Sequence, residues 1–463
     1  MSDLNLVVVG AGPGGYVAAI RAAQLGLRTA VVEQERAGGV CGNWGCIPSK
    51  AILADAELYR TMRDGAQRGV VADGLRPDFT RVVARSREVA AQQARGVESL
   101  FRKHRIQLVQ GRGTLVTGGV DVMRDGGGPE RLGAPHVLLA TGSRERTLPG
   151  LEVDGTVVQT SREALEDPRL PASVVVIGGG AVGVEFAFAY ASFGAKVTLV
   201  EMEGTLLPGM DVDLGRELQR AFRKQGVEVL VGHRFEQLAR DARGARVTVR
   251  GEAEPRTLEA ERVLVAVGRS PLSDDLGLEP LGIRTQRGFV VVDPMMRTSV
   301  PGTFAIGDLV GPLLLAHTAS EQGVIAVETI AGRRDGAPGL DVSRVPMCVY
   351  CQPEVAAVGL TEAQAREHGE VKVGKFPFRA LGKAMATGHS EGFVKLVAGA
   401  RHGEVLGVHM IGHGVTDLIA EAGLARTLEA TTHELRDTVH AHPTLAEALR
   451  EAALAAEGEA VNI

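Results

Sequence analysis

Two cysteines five residues apart, Cys41 and Cys46, lie in Gly38–Lys50, which reads Gly-Gly-Val-Cys-Gly-Asn-Trp-Gly-Cys-Ile-Pro-Ser-Lys. In an unbroken helix that spacing means about 7.5 Å of rise and about 140° of rotation, beyond the ~7 Å between Cα atoms that a disulfide tolerates. Gly42, Gly45 and Pro48 permit the distortion that would bring the sulfurs together. A strained pair on a helix whose N-terminus can stabilise a thiolate suits redox exchange rather than stapling. Taken alone, such a pair also reads as two small buried side chains in a glycine-rich turn, so its neighbours decide.

Those neighbours are two copies of one nucleotide-binding pattern. The strand Leu6–Val9 runs into Gly10-x-Gly12-x-x-Gly15, a small-residue helix, Gly26 and a second strand ending at Glu33. Gly10 makes the tight turn, Gly12 lets backbone approach a pyrophosphate, Gly15 lets the helix close on the strand, and Glu33 can bind a ribose hydroxyl. The pattern recurs 168 residues later as Val174–Ile177, Gly178, Gly180, Gly183, Gly194 and Glu201. A constant offset across these landmarks excludes coincidence and predicts two dinucleotide sites. Apolar strands closing on Thr141-Gly142 and on Gly268-Arg269 read as each unit's next crossover strand. Met202, Glu203 and Gly204 follow Glu201 with no Arg or Lys to meet a 2′-phosphate, which favours NAD over NADP. Late in the chain, Thr298–Asp308 reads as a turn feeding a short buried strand that stops at Gly307-Asp308, a possible second contact for the first site.

Length and charge bound the remaining possibilities. At 463 residues the chain exceeds one ordinary core, so two to four domains are expected. Apolar content of 44% with 23% charged residues fits a globular protein, and a net charge of −5 without a basic block argues against nucleic acid. The most apolar run, Val174–Ala189, is interrupted by glycines and Glu185, so no membrane span is expected. With no secretory pattern after Met1 the expected compartment is a reducing cytoplasm, where four cysteines are catalytic or inert rather than structural. Scarce Asn fits thermophily and G+C-rich codon usage equally.

The sequence resembles the flavoprotein disulfide reductases, and within them the dihydrolipoamide dehydrogenases. The resemblance is carried by Gly10–Gly26 with Gly14 and Tyr16, by Gly38–Lys50, Val265–Pro271 and Thr298–Asp308, and by His440–Glu447 (His-Ala-His-Pro-Thr-Leu-Ala-Glu). It implies FAD at the first site, contacted by Lys50, Asp308 and the Ala316 segment, and NAD at the second. It also implies a homodimer whose C-terminal domain completes the partner's active site, acting on dihydrolipoamide or a lipoyl domain, with docking on the acyltransferase core of a 2-oxo acid dehydrogenase complex as a further implied partnership. Carried over residue by residue, Cys41 would exchange with substrate, Cys46 would lie beside the flavin, His442 held by Glu447 would take the thiol proton, and Lys50 and Glu185 would form an ion pair near the ring. The spacings agree. Lys50 is one helical turn after Cys46, and Glu447 follows His442 by five across Pro443-Thr444, as suits a carboxylate orienting a base that works near neutral pH.

Departures from the family pattern are expected to matter little. Trp44 stands where the family usually has Val, and either narrows the thiol approach or fills a gap. Thr318 and Ala446 replace a common Lys and Ser without touching the proposed chemistry. Cys348 and Cys351, a pair the family lacks, sit in a predicted strand running into Gln352-Pro353 and read as inert. The predicted architecture is α/β: an FAD domain (1–148) with a helical arm Asp78–His104, a strand Ile106–Val116 and a turn at 126–129; an NAD domain (149–272); a central region (273–343); and an α+β interface domain (344–463) with strands Gly392–Val397 and Val405–Ile411 and a helix Val415–Leu428. Glutathione- and mercuric-reductase-like enzymes are the nearest alternatives, beside a weakened paralogue that mainly binds a complex.

Overall fold

The computed structural model describes residues 4–124, 127–241, 244–334 and 336–463. Leu6–Val9 (β1) is buried at every position, as a strand covered on both faces must be. Pro13–Gln24 (α1) and Thr29–Glu33 (β2) complete the first β-α-β unit, with β2 parallel to β1. Two helices follow, Gly39–Trp44 (α2) and Cys46–Asp64 (α3), then a long amphipathic arm, Phe79–Lys103 (α4), whose start is capped by Asp78 accepting from the Arg81 amide.

The single strand expected over Ile106–Val116 is two strands, Gln107–Gln110 (β3) and Arg112–Val116 (β4). Gly111 between them adopts φ 149°, and a Cβ there would stand 2.6 Å from the Met123 carbonyl oxygen. The chain turns at this glycine out of the parallel sheet into an antiparallel meander of β4, Gly119–Met123 (β5) and Pro129–Gly133 (β6). The turn expected at 126–129 falls partly, at Gly126, outside the described residues. His136–Leu139 (β7) returns beside β1 with Leu139 opposite Val9, and Ser143–Glu145 (β8) leads away.

The second unit repeats this plan. Val158–Gln159 (β9) and Ser161–Ala164 (α5) precede Ser173–Ile177 (β10), Ala181–Phe193 (α6), Lys196–Val200 (β11), Val212–Lys224 (α7) and Glu228–Leu230 (β12). A second meander, Arg234–Asp241 (β13), Gly244–Arg250 (β14) and Arg256–Ala260 (β15), leads to Arg262–Val265 (β16). The parallel order is β12-β11-β10-β16-β9, and Val265 faces Ile177 as Leu139 faces Val9. Arg269–Pro271 (β17) then pairs antiparallel with β8, so the chain enters and leaves this unit through one two-stranded ribbon.

After a small hairpin, Thr285–Gln286 (β18) and Phe289–Val290 (β19), the strand Thr303–Ala305 (β20) docks on β7 and completes the first sheet as β20-β7-β1-β2-β3. Ala316–Ile330 (α8) packs on α1 so closely that a Cβ at Gly323 would stand 2.8 Å from the Gly14 carbonyl oxygen.

The remainder is one antiparallel sheet, β21-β22-β25-β24-β23, made by Met347–Val349 (β21), Glu354–Gly359 (β22), Val371–Pro377 (β23), Phe393–Gly399 (β24) and Val405–Gly412 (β25). Its helices are Glu362–His368 (α9), Gly382–Thr387 (α10), Val415–Thr427 (α11), Thr432–Asp437 (α12) and Glu447–Ala456 (α13). The fold is thus α/β, two Rossmann-like units and a C-terminal α+β unit. The cysteine-bearing helices lie at their junction: Ile52 and Leu53 of α3 share a buried cluster with Phe186 of α6 and with Val349 and Phe393 of the C-terminal sheet. Among the described residues no helix is long and apolar enough to cross a membrane.

Candidate active site

Gly38, at φ 97°, turns the chain into α2, and Gly45, at φ −144° and ψ −114°, breaks the helix before Cys46 opens α3. The break brings together two thiols that a continuous helix would hold apart. The Cys41 thiol donates to the Cys46 sulfur, which pulls Cys46 down to about 7 despite burial, with further help from the Lys50 ammonium. The same bond, reinforced by burial, pushes Cys41 upward, since ionising it would break the contact. Of the two sulfurs it is Cys46, at a helix N-terminus, that ionises first.

Lys50 Nζ stands 2.9 and 3.0 Å from the carboxylate oxygens of Glu185 on α6, as expected. The sequence reading missed Tyr350. Its amide donates to Glu185 Oε1 at 3.0 Å and its ring lies under Lys50 Nζ at 4.4 Å, so it supports both members of the ion pair. Burial pushes its phenol up to about 12, and it stays neutral.

The two glycine loops are superimposable in their constraints. Gly10 and Gly178 have φ of 106° and 110°, and a Cβ at either would meet the carbonyl oxygen of Ala140 or Ala266 at 2.3 and 2.2 Å. At Gly15 and Gly183 a Cβ would stand 1.9 and 1.8 Å from the carbonyl oxygens of Gly10 and Gly178. Both helices start without a side-chain cap, on Gly12 and Gly180, leaving their first amides free for a pyrophosphate. Glu33 accepts from the amides of Ala11 and Glu35, each at 2.8 Å; Glu201 accepts from Gly179 at 2.6 Å and Glu203 at 2.8 Å, the same positions shifted by the repeat. Both loops therefore fit a dinucleotide.

The sites differ in how they are closed. Gly14 packs against α8, where a Cβ would meet the Ala319 carbonyl oxygen at 2.9 Å, whereas its counterpart Val182 is 38% exposed. Helix α8 adds a second uncapped N-terminus to the first site, beginning at Ala316, and Thr318 in its first turn is buried with a hydroxyl lacking any partner. Thr318, read from the sequence as a departure without bearing on the chemistry, thus has an orphaned hydroxyl that fits a ligand in the first site. Asp308 lies in the turn after β20, where its carboxylate accepts from Ser143 at 2.5 Å; Arg269 Nε in turn donates to Ser143 at 2.7 Å. The loops at Thr141-Gly142 and Gly268 thus converge on Asp308.

His442 Nδ1 and Glu447 Oε1 are 2.9 Å apart, and the Thr444 amide holds the other carboxylate oxygen at 2.8 Å. Burial raises the Glu447 carboxyl, but the Thr444 amide and then His442 outweigh it and hold it below its ordinary value. The imidazole is 77% exposed and makes no hydrogen bond to a cysteine of its own chain. The structure thus gathers Cys41, Cys46, Lys50 and Glu185 in one place and His442 with Glu447 in another. His440 binds Glu421 instead, at 2.7 Å.

Trp44 is 8% exposed, with its indole N–H donating to Glu166 at 2.8 Å and Arg162 stacked 4.1 Å from the ring. It fills the seam towards the second unit. Burial raises Cys351 strongly and Cys348 to about 11, so neither offers a thiolate at neutral pH.

Residues 4–323 match the pyridine nucleotide-disulphide oxidoreductase family and residues 345–453 its dimerisation domain. The chain is 44% identical over its whole length to a dihydrolipoyl dehydrogenase of Bacillus subtilis, covering 99% of that protein, and 46% identical over 98% of its length to one of Chlorobaculum tepidum, covering 97%. Among solved structures, LpdA of Mycobacterium tuberculosis superposes with a TM-score of 0.90 at 29% identity, covering 97% of this chain and 99% of that one. The flavoprotein disulfide reductase RclA of Escherichia coli, as its Cu(II) complex, gives 0.86 at 27%, covering 98% and 99%. With residues 4–323 and 345–453 matched, most of its length, the chain belongs to the pyridine nucleotide-disulphide oxidoreductases.

Proposed function

We propose that this chain is a dihydrolipoamide dehydrogenase, oxidising a dithiol through Cys41 and Cys46 with NAD as the final acceptor. The observation that carries the reading is the hydrogen-bonded cysteine pair, with one sulfur ionised near neutral pH, beside the Lys50–Glu185 ion pair. The full-length relatives named for this activity support the substrate. In this reading 1–148 holds FAD, 149–272 holds NAD, 273–343 completes the flavin site and 344–463 dimerises.

FAD would be held by the Gly10–Gly15 loop, Glu33, Lys50, Asp308 and the start of α8, and when bound it supplies two-electron transfer between the cysteine pair and NAD. NAD would lie on Gly178–Gly183, Glu201 and Gly268. The first site is closed by α8 and suits a resident cofactor; the second lacks such a cover and suits one that exchanges.

In the substrate half-reaction, His442 receives a proton from dihydrolipoamide. Its Nδ1–H is held by Glu447, which leaves Nε2 with the lone pair for that transfer. The substrate thiolate attacks Cys41 of an oxidised Cys41–Cys46 pair, and the Cys46 thiolate leaves, stabilised by Lys50 and the α3 N-terminus. The second substrate sulfur then displaces Cys41, so lipoamide departs oxidised and the pair is left reduced. The match to the family's dimerisation domain supports a homodimer, in which His442 serves the other copy. Docking on a 2-oxo acid dehydrogenase core, in the cytoplasm, belongs to this reading.

The test is steady-state turnover of dihydrolipoamide with NAD against NADP, and of glutathione and Hg(II) as rival substrates. Turnover specific to dihydrolipoamide and NAD, lost in Cys46→Ser, is expected. Unchanged lipoamide turnover in Cys46→Ser, or a preference for glutathione with NADP, overturns the proposal.

A further inference from the structure

The break between α2 and α3 is held from outside. Trp44 is the last residue of α2, one position before the Gly45 break and two before Cys46. Its indole is fixed by two residues of the second unit: Glu166, accepting from Nε1 at 2.8 Å, and Arg162, over the ring at 4.1 Å. Arg162 is itself tied to Glu35 at 2.6 Å, just beyond the ribose-side acid Glu33. Arg87 of α4 reaches both Glu166, at 3.2 Å, and the Asn43 carbonyl oxygen. The last turn of α2 is therefore clamped by its side chain to the second unit and by its backbone to α4. Nothing comparable is built on a valine, which offers neither donor nor ring.

We propose that Trp44 is a positioning residue for the cysteine pair: by anchoring α2 on Glu166 and Arg162 it fixes the distance between Cys41 and Cys46 and so the strength of the bond between their sulfurs. The inference rests on the reading of that pair as the redox centre. A rigid glycine break alone does not set this distance, because glycine is the residue least able to resist backbone rotation. The anchor comes from 122 residues away in sequence and from the unit assigned to NAD, so the geometry of the sulfur pair is tied to the placement of that unit.

The consequence is measurable in the reduced holoenzyme as the pH at which the Cys46 thiolate forms. Two readouts serve: the long-wavelength absorbance of a thiolate against flavin, and the pH profile of alkylation of the pair, located by mass spectrometry. Trp44→Phe keeps a ring for Arg162 and removes the donor; Glu166→Ala removes the acceptor from a half-exposed side chain and leaves α2 unaltered; Glu166→Gln keeps an acceptor oxygen. The midpoint is expected to rise by about 0.5 pH unit, a threefold change in the ionisation equilibrium, in Trp44→Phe and Glu166→Ala, with Glu166→Gln at the wild-type value. Equal midpoints in all four proteins overturn the inference, even where thermal stability falls, because a purely structural tryptophan would lower the melting temperature and leave the midpoint alone. Glu166→Gln shifting as far as Glu166→Ala also overturns it, since charge rather than the hydrogen bond would then be at work. A wild-type protein with no thiolate between about pH 5 and 9 sinks the redox reading of the pair and this inference together.

Discussion

Lys50 acts on two partners whose needs coincide: it stabilises the Cys46 thiolate and neutralises the nearly buried Glu185. Lys50→Met should raise the pH at which Cys46 ionises and, by leaving Glu185 uncompensated, cost about 1–3 kcal/mol of stability, read by alkylation profiles and urea unfolding. The sign of a related effect follows from the depressed Cys46 value. A group ionising lower in the folded state contributes stability that is full above its ordinary value and lost as pH falls through about 7. The reduced protein should therefore lose stability relative to the oxidised form between pH 8.5 and 6, as compared by denaturant titration at each pH. The cysteine pair was legible through its glycine-rich neighbours and the repeated nucleotide pattern, and Lys50, Glu185, His442 and Glu447 through the family resemblance, with which their spacings agree. Tyr350 was not, because its contribution is a backbone amide and a ring face, and nothing in its neighbours announces either. Trp44 was visible as an oddity, but its partners Arg162 and Glu166 lie too far along the chain for spacing to connect them.

The two glycine loops are the elements on which the repeat depends, and they should fail separately. In Gly15→Ala the new methyl would press on the Gly10 carbonyl, and the purified protein should lose flavin readily; in Gly183→Ala it would press on Gly178, and the protein should remain yellow while the KM for NAD rises. Overpacking of this kind typically costs about 1–3 kcal/mol. Flavin content by absorbance and NAD saturation curves separate the two outcomes. These loops were readable because a backbone constraint leaves its mark directly as glycine. The outer meander strands β6 and β13 were not, since they are exposed and charge-rich and lack a clean alternating pattern. The division of Ile106–Val116 was hidden for another reason: Gly111, between Gln110 and Arg112, marks a break only when the partner strand that crowds it is known.

At the scale of the molecule, distant segments meet in ways no local pattern encodes. Strand β20 completes a sheet begun some 300 residues earlier, and Lys395 of the C-terminal sheet is 3% exposed among Asp211, Asp213 and Glu362, at 2.9, 3.1 and 2.8 Å. In its strand Lys395 reads as an outward-facing residue; the second unit makes it an inward-facing one. Lys395→Met should leave the buried Asp211 without its cation, while Asp213 keeps Lys375 and Glu362 keeps Arg366, and destabilise the protein by about 3–5 kcal/mol, visible in thermal unfolding, with the cysteine pair still titrating as before. The ribbon of β8 and β17 has a further meaning. Glu145 and Arg269 face each other across it and are joined by an ion pair at 2.9 Å. Everything from 146 to 268 hangs from neighbouring points on one strap, while the strand that finishes the flavin-side sheet lies downstream. The second unit is thus strung on one strap yet not freely exchangeable: a unit transplanted between 145 and 269 should change which electron acceptor is used and keep the colour of the protein only where the contacts made by Glu185, Glu166 and Asp211 are rebuilt.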